Sequence, residues 1–387
     1  MPTHARPGWY VPPAGRFWLL ITGVMLLVGI VRNINLLALL GSVLLAVFAL
    51  QALAAGRGLR RLQVQRWCDE VLRQGVPCRV EIRLSNDSSR PAPGVWIEDT
   101  QQPLGWYIDR VEGYGRYTCR GEVVPQRRGW FTFGVLLADS GYPFGLVRKR
   151  VEMCPALEVL VLPRPGKLSR EQFRRHLRGN DPRGERSRQS GSPHELARAD
   201  FHGLRPYRLG DSLRWVHWRT SARRGQLMVK EFEDVPGEDL VVALDPYVPT
   251  GSASAEPLAE HALDLAWEQA VSLAATIVDE WCQRRGNRLI VALAGPKPEL
   301  VEGITGPELA RRALKALAVV QRSSVPVVPL ADGWRCLVPR SASAVVVSSG
   351  SSHLVEPLEV ALGRTVTLLD ARYPDQLPFY RPPEMPR

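Results

Sequence analysis

Asp211, His217 and Ser221 bring an acid, an imidazole and a hydroxyl into one short stretch, the residue types of a nucleophilic triad. In a hydrolase of that kind the histidine takes the serine proton and the acid holds the imidazole. The local sequence argues against it. Ser221 lies in Thr220-Ser221-Ala222-Arg223-Arg224, with no Gly-x-Ser-x-Gly turn and no oxyanion glycine beside it. His194, His202 and His217 with Asp200 could be drawn as a metal set, but their spacings match no pair of ligands on one helix. The cysteines Cys68, Cys78, Cys119, Cys154, Cys282 and Cys336 form no C-x-x-C pair and read as reduced core or strand residues. We therefore assign no catalytic, cofactor-binding or metal residues from the sequence.

The same stretch carries a different chemistry. Between Gly166 and Lys230 stand 16 Lys and Arg against 6 Asp and Glu, a surplus that accounts for nearly all of the chain's net charge of +11. Arginine forks bind carboxylates and phosphates bidentately. Asp211 is spaced to hold Arg208 or Arg214, and Trp215 and Trp218 can stack on guanidinium planes. Two outcomes stay open: an internal Arg, Asp and Trp network that locks one domain to the next, or a docking surface for an acidic partner segment. The Gly/Pro/Ser-rich run from Gly179 to Pro193 reads as a loop whose arginines are solvated or drawn to anionic lipid. Nucleic-acid binding would call for exposed stacking aromatics, whereas the apolar neighbours of Trp215 and Trp218 predict that they are enclosed.

The elements that must position this segment follow from periodicity. A chain of 387 residues, 45% hydrophobic and 23% charged, suits two or three folded units and excludes wholesale disorder or a polytopic transporter. Phe17 to Val31 and Leu36 to Ala55 are runs without a charge, and the second has Gln51 as its only strongly polar side chain. At 1.5 Å per residue they reach about 22 and about 30 Å, against a bilayer core of about 30 Å. Trp9, Tyr10 and Trp18 supply interfacial aromatics. Arg6, Arg16, Arg57, Arg60, Arg61 and Arg66 flank the pair while the turn carries only Arg32, so both ends are expected in the cytoplasm. A cleaved signal would be one shorter run with a small-x-small site; a hairpin buried in a soluble core is the other alternative.

Beyond the hairpin, Cys78 to Leu84 alternates apolar with polar residues, the mark of a half-buried strand. Gly94 to Glu98, Tyr117 to Val124, Phe131 to Leu137 and Leu157 to Leu162 are further short β runs, together predicting an antiparallel sandwich. Leu168 to Arg178 reads as a basic helix with Phe173 and Leu177 one turn apart. After Glu233, strands at Leu240 to Leu244, Arg288 to Ala294, Ala344 to Ser348 and Val366 to Leu369 alternate with helices at Pro257 to Arg285 and Pro307 to Gln321, which predicts a mainly parallel sheet.

The run Gly203-Leu204-Arg205-x-Tyr207-x-x-Gly210-Asp211-x-x-Arg214-x-x-x-Trp218-x-x-Ser221-Ala222-Arg223, followed by Leu227-x-Val229-Lys230-Glu231-Phe232-Glu233, resembles the signature of the domain-of-unknown-function 58 family. Tyr142-Pro143-Phe144-Gly145-Leu146 resembles that family's upstream turn. The resemblance spans nearly the whole chain. It implies a bacterial membrane-anchored protein with a cytosolic body, associated with MoxR-type AAA+ ATPases and proteins carrying von Willebrand factor A domains. The α/β order, with Asp245 ending its first strand, is itself similar to a von Willebrand factor A domain. That domain's Mg²⁺ site uses Asp-x-Ser-x-Ser, but Asp245-Pro246-Tyr247-Val248-Pro249 lacks both hydroxyls, and Thr250, Ser252 and Ser254 come too late unless the loop bulges. The carboxylate then orients its loop or caps a helix.

The expected architecture is α+β and multidomain: a cytoplasmic segment at 1–16, a transmembrane helical hairpin at 17–55, a β-sandwich at 62–165, a basic linker with the signature at 166–233, an α/β von Willebrand factor A-like domain with a mainly parallel sheet at 234–372, and an exposed Pro-rich tail at 373–387. The expected function is a scaffold or adaptor on the inner membrane, its bulk in the cytoplasm, acting with a MoxR-type ATPase and in contact with membrane lipid. The candidate contact residues are Arg205, Tyr207, Gly210, Asp211, Arg214, Trp218, Ser221, Arg223, Lys230 and Glu231. A hydrolase using Asp211, His217 and Ser221, and nucleic-acid or anionic-lipid binding through the basic segment, are the alternatives.

Overall fold

The computed structural model describes residues 7–179, 200–207, 216–233, 239–248, 257–295, 298–325 and 342–383. The chain is α+β and divides into two compact units, Met1–Leu162 and Pro163–Arg387.

The first unit opens with strand β1 (Gly8–Tyr10), then helices α1 (Pro13–Val31) and α2 (Asn35–Ala54). Pro13 starts α1 where its missing N–H costs nothing. Asn33 takes the left-handed conformation that turns the chain back, φ 52°. Small residues let the helices close: a Cβ on Gly29 would lie 2.6 Å from the Ala38 nitrogen. Both helices are long and apolar enough to cross a membrane. Their outward side chains are apolar and uncovered, with Leu20 63% and Leu36 77% exposed, unlike a hairpin buried in a protein core.

Ten strands follow: β2 (Leu62–Cys68), β3 (Leu72–Arg73), β4 (Cys78–Asn86), β5 (Ala92–Asp99), β6 (Gly105–Val111), β7 (Arg116–Val123), β8 (Gly129–Phe133), β9 (Leu136–Ser140), β10 (Arg148–Cys154) and β11 (Leu157–Leu162). They form sheets in the orders β1-β10-β9-β5-β6, β2-β4-β7 and β3-β11-β8, antiparallel except for β3 with β11. Cys78, Val80, Ile82 and Leu84 on β4 point into one core with Val95, Ile97, Ile108, Phe133 and Val161, and Arg79 and Arg83 point out.

Two expectations are corrected here. Phe131 to Leu137 is two strands in different sheets, because the chain turns at Gly134, whose N–H donates to Asp99 Oδ1 at 2.9 Å. The same oxygen accepts the N–H groups of Gln101 and Gln102, while Oδ2 pairs with Arg66 at 2.8 Å, both side chains fully buried. Trp9 and Tyr10 belong to β1, paired with β10, and the Tyr10 hydroxyl donates to Asp139 Oδ2 at 2.6 Å. Burial, and then the bond to that carboxylate, push the Tyr10 phenol above its ordinary pKa. Gln51 faces protein rather than lipid: Nε2 donates to the carbonyls of Gly141 (2.7 Å) and Val147 (3.1 Å), and Oε1 accepts the Phe144 N–H at 3.0 Å.

The second unit contains β12 (Lys167–Leu168), α3 (Arg170–Gly179), β13 (Asp200–Pro206), α4 (Trp218–Arg224), β14 (Met228–Glu233), β15 (Leu240–Leu244), α5 (Pro257–Cys282), β16 (Arg288–Leu293), β17 (Glu299–Ile304), α6 (Pro307–Val319), β18 (Ser343–Ser348), α7 (Val355–Leu362), β19 (Thr367–Asp370) and β20 (Tyr380–Arg381). Its main sheet has the order β17-β16-β15-β18-β19, parallel throughout except for the edge strand β17. The continuous apolar runs of β15 and β16 suit strands covered on both faces. β17 and α7 add to the elements predicted. The Pro-rich end is not a free tail as far as residue 383: β20 pairs with β12, and Phe379, 2% exposed, meets Phe173 of α3 with ring centroids 5.0 Å apart. Phe173 in turn stands edge-on to Trp281. This aromatic cluster recovers the apolar surface that the prolines suggested was absent.

Candidate functional site

The signature folds as a hairpin with a short helix pinned against it. β13 and β14 pair antiparallel with an irregularity between Phe201 and Gly203, placing Gly203 opposite Glu231, Leu204 opposite Lys230 and Arg205 opposite Val229. Past the strand, Tyr207 donates its N–H to the Leu227 carbonyl at 2.9 Å, and His217 donates its own to Met228 O at 2.8 Å. α4 then starts at its N-cap His217, whose Nδ1 accepts the Thr220 N–H at 3.2 Å, and stops at Gly225, φ 66°. Ser221 is buried; its hydroxyl accepts the Met228 N–H at 2.9 Å and donates to the His217 carbonyl at 3.1 Å. That hydroxyl is a fastener between helix and strand.

Other side chains of α4 are open to solvent. Trp218 is 64% exposed, and Arg219, Arg223 and Arg224 are exposed beside it. The expectation that Trp218 is enclosed is thus corrected: at the first turn of a seven-residue helix it is left uncovered by the described residues. No ion pair engages Arg219, Arg223 or Arg224 among the described residues. Gly210, Asp211 and Arg214, with Arg208 and Trp215, lie outside the described residues, as does the acid of the supposed triad. The hairpin and helix therefore bring Arg205, Tyr207, Lys230 and Glu231 onto one two-stranded ribbon, with Ser221 inside and Trp218 and Arg223 outside.

A second cluster sits where the parallel strands end. β15 and β18 are neighbours whose connections leave in different directions, the kind of place where open α/β sheets form a crevice. Asp245 follows β15 and is buried; Oδ1 accepts the Tyr247 N–H at 2.9 Å and Oδ2 accepts the Ser352 hydroxyl at 2.5 Å. Both carboxylate oxygens thus have protein donors. Tyr247 stands edge-on to His353, centroids 4.9 Å apart, and Ser349 places a buried hydroxyl beside the same loop. At the end of β19, Asp370 pairs with Arg372 at 2.6 Å. Burial alone would raise the Asp370 carboxyl, but the hydrogen bonds and charge of Arg372 outweigh it and hold the group below the usual carboxylate range. No group of three His, Cys, Asp or Glu able to hold a metal occurs among the described residues. Thr250, Ser252 and Ser254 lie outside them. Ser352 is missed by the sequence reading; the Ser348-Ser349-Gly350-Ser351-Ser352 run after a strand was its only local signal.

Residues 203–361 match the family described as "Protein of unknown function DUF58", a stretch that runs from the hairpin through α7. No curated protein matches the chain. Among solved structures, the chain is similar to the CARDB domain of PF1109 from Pyrococcus furiosus, with 13% identity, covering 26% of this chain and 94% of that one, at a TM-score of 0.21. It is also similar to a GH20 exo-β-N-acetylglucosaminidase from Vibrio harveyi solved with N-acetylglucosamine, with 12% identity over 55% of this chain and 45% of that one, at a TM-score of 0.19. At such scores neither bears on fold or chemistry.

Proposed function

Since the chain belongs to the DUF58 family through residues 203–361, we propose that it is a membrane-anchored scaffold or adaptor whose basic signature face docks an acidic segment of a partner protein. The observation that carries this reading is Trp218, exposed on α4 beside Arg219, Arg223 and Arg224, none of them ion-paired among the described residues. Exposed tryptophan and arginine are the residue types enriched among interface anchors. The apolar pair α1 and α2 supports an inner-membrane hairpin, and the basic flanks favour the cytoplasm for both of its ends. We read the three sheets of the first unit as a β-sandwich and the second unit's sheet order as von Willebrand factor A-like, here with Ser352 on the carboxylate that would otherwise face a cation. By resemblance, the partner is a MoxR-type AAA+ ATPase. A hydrolase centred on Ser221 is less well supported, because its hydroxyl is committed to the Met228 N–H and the His217 carbonyl.

The test is capture of a purified MoxR-type ATPase by the detergent-solubilised full chain, wild type against a Trp218→Ala, Arg223→Ala double variant. Two exposed anchors at about 1–2 kcal/mol each predict a loss of roughly 30-fold or more in affinity. Unchanged capture by a folded variant sinks the reading, and transfer of the effect to vesicle binding would favour the anionic-lipid alternative.

A further inference from the structure

The turn from Gly141 to Val147 is gripped by both apolar helices at one level. On α1, Gly15 lies so close that a Cβ there would collide with the Leu146 carbonyl oxygen. On α2, Gln51 holds Gly141 O, Val147 O and the Phe144 N–H, while the Gly145 N–H closes the turn on Gly141 O at 2.7 Å. Four of the turn's backbone groups are therefore satisfied by protein, as a low-water setting favours. From Gly15 to the Asn33 turn is about 27 Å of helix, close to the bilayer core's roughly 30 Å. Anything at the level of Gly15 and Gln51 then stands at the edge of the hydrocarbon.

Two large aromatics stand there uncovered: Tyr142, 54% exposed, and Phe144, 66% exposed. Cations stand near the same helix ends. Lys149 packs on Gly56 and lies over the Trp9 ring at 5.0 Å, and Arg16, Arg57 and Arg60 are exposed near the helix ends. Aromatic rings with flanking Lys and Arg are what the headgroup zone of a membrane selects.

We propose that the Gly141–Val147 turn is a lipid-binding element: Tyr142 and Phe144 enter the headgroup–acyl boundary of the leaflet holding the α1 start and α2 end, and Lys149 and its neighbouring arginines meet lipid phosphates. This rests on the membrane-anchor reading above and adds to it a second contact that fixes the first unit's β strands against the bilayer surface.

The full chain, in vesicles of phosphatidylethanolamine and phosphatidylglycerol, would carry benzoylphenylalanine at position 144, 142 or 71. Val71 is 50% exposed and lies beyond the end of β2, about 20 Å along that strand from the end that follows α2. Photolysis should give lipid adducts at 144 and 142 and none at 71. Absent adducts at both turn positions, adducts equally frequent at 71, or adducts to protein at 144 would each overturn the proposal while the chain resists an alkaline carbonate wash. Release of the chain by that wash would overturn the anchor reading as well.

Discussion

Gln51→Leu tests the grip of α2 on the turn. The wild-type side chain is 1% exposed and makes three bonds of 2.7 to 3.1 Å, two as donor and one as acceptor. Leucine keeps most of the volume and removes all three. A net hydrogen bond contributes about 1 kcal/mol, and a buried group left without a partner costs about 1–3 kcal/mol, so the turn should lose roughly 2–4 kcal/mol of its resistance to local opening. At 1.4 kcal/mol per tenfold, the Phe144 amide should exchange about 30- to 1000-fold faster. Hydrogen–deuterium exchange of the peptide spanning Gly141 to Val147, measured on the full chain in detergent, reads this directly. Gln51→Glu retains the acceptor for Phe144 but turns a buried carboxylate oxygen toward the Gly141 and Val147 carbonyls, and should open the turn at least as much as Gln51→Leu. Unchanged protection of the Phe144 amide in Gln51→Leu would refute the clamp.

Asp99→Asn should cost about 3–5 kcal/mol, because it leaves the buried Arg66 guanidinium without its counter-charge; a denaturation midpoint unmoved from wild type would contradict the reading of that pair as internal cement. For Asp370, the folded carboxyl titrates below its unfolded value, so its contribution is full above about pH 4 and disappears as pH falls through the folded value. The stability difference between wild type and Asp370→Asn should therefore shrink as denaturation is repeated from neutral to acid pH, and a constant difference would count against it.

The parts of this fold legible in the sequence are those whose cause is local. Two uncharged runs must be apolar helices, the alternation from Cys78 to Leu84 must put one face of a strand inward, and the run Leu240–Leu244 must be covered on both sides. What stayed hidden depends on partners far along the chain. Gln51 stands out as the single strong polar group in its helix, but its meaning lies at Gly141, Phe144 and Val147, about 90 positions on. The charged strand Arg148–Cys154 forms because β1 and β9 offer it backbone on both sides. Phe379 escapes the Pro-rich tail because Phe173 receives it.

The same contrast separates the basic residues. Several arginines that this chain keeps for its own structure meet an acid it supplies: Asp99 for Arg66, Asp139 for Arg148 and Arg150, Glu302 for Arg288, Glu260 for Arg322. On α4 the helix is fastened from beneath by Ser221 and His217, while Arg219, Arg223 and Arg224 face outward with no acid opposite them among the described residues. A positive end on a helix C-terminus is tolerated for the dipole's sake, worth about 0.3–1 kcal/mol when exposed, but that accounts for neither the number of arginines nor the bare tryptophan at the first turn. The counter-charge absent among the described residues is what the docking test seeks on another molecule, and that test turns on Trp218 and Arg223 for that reason.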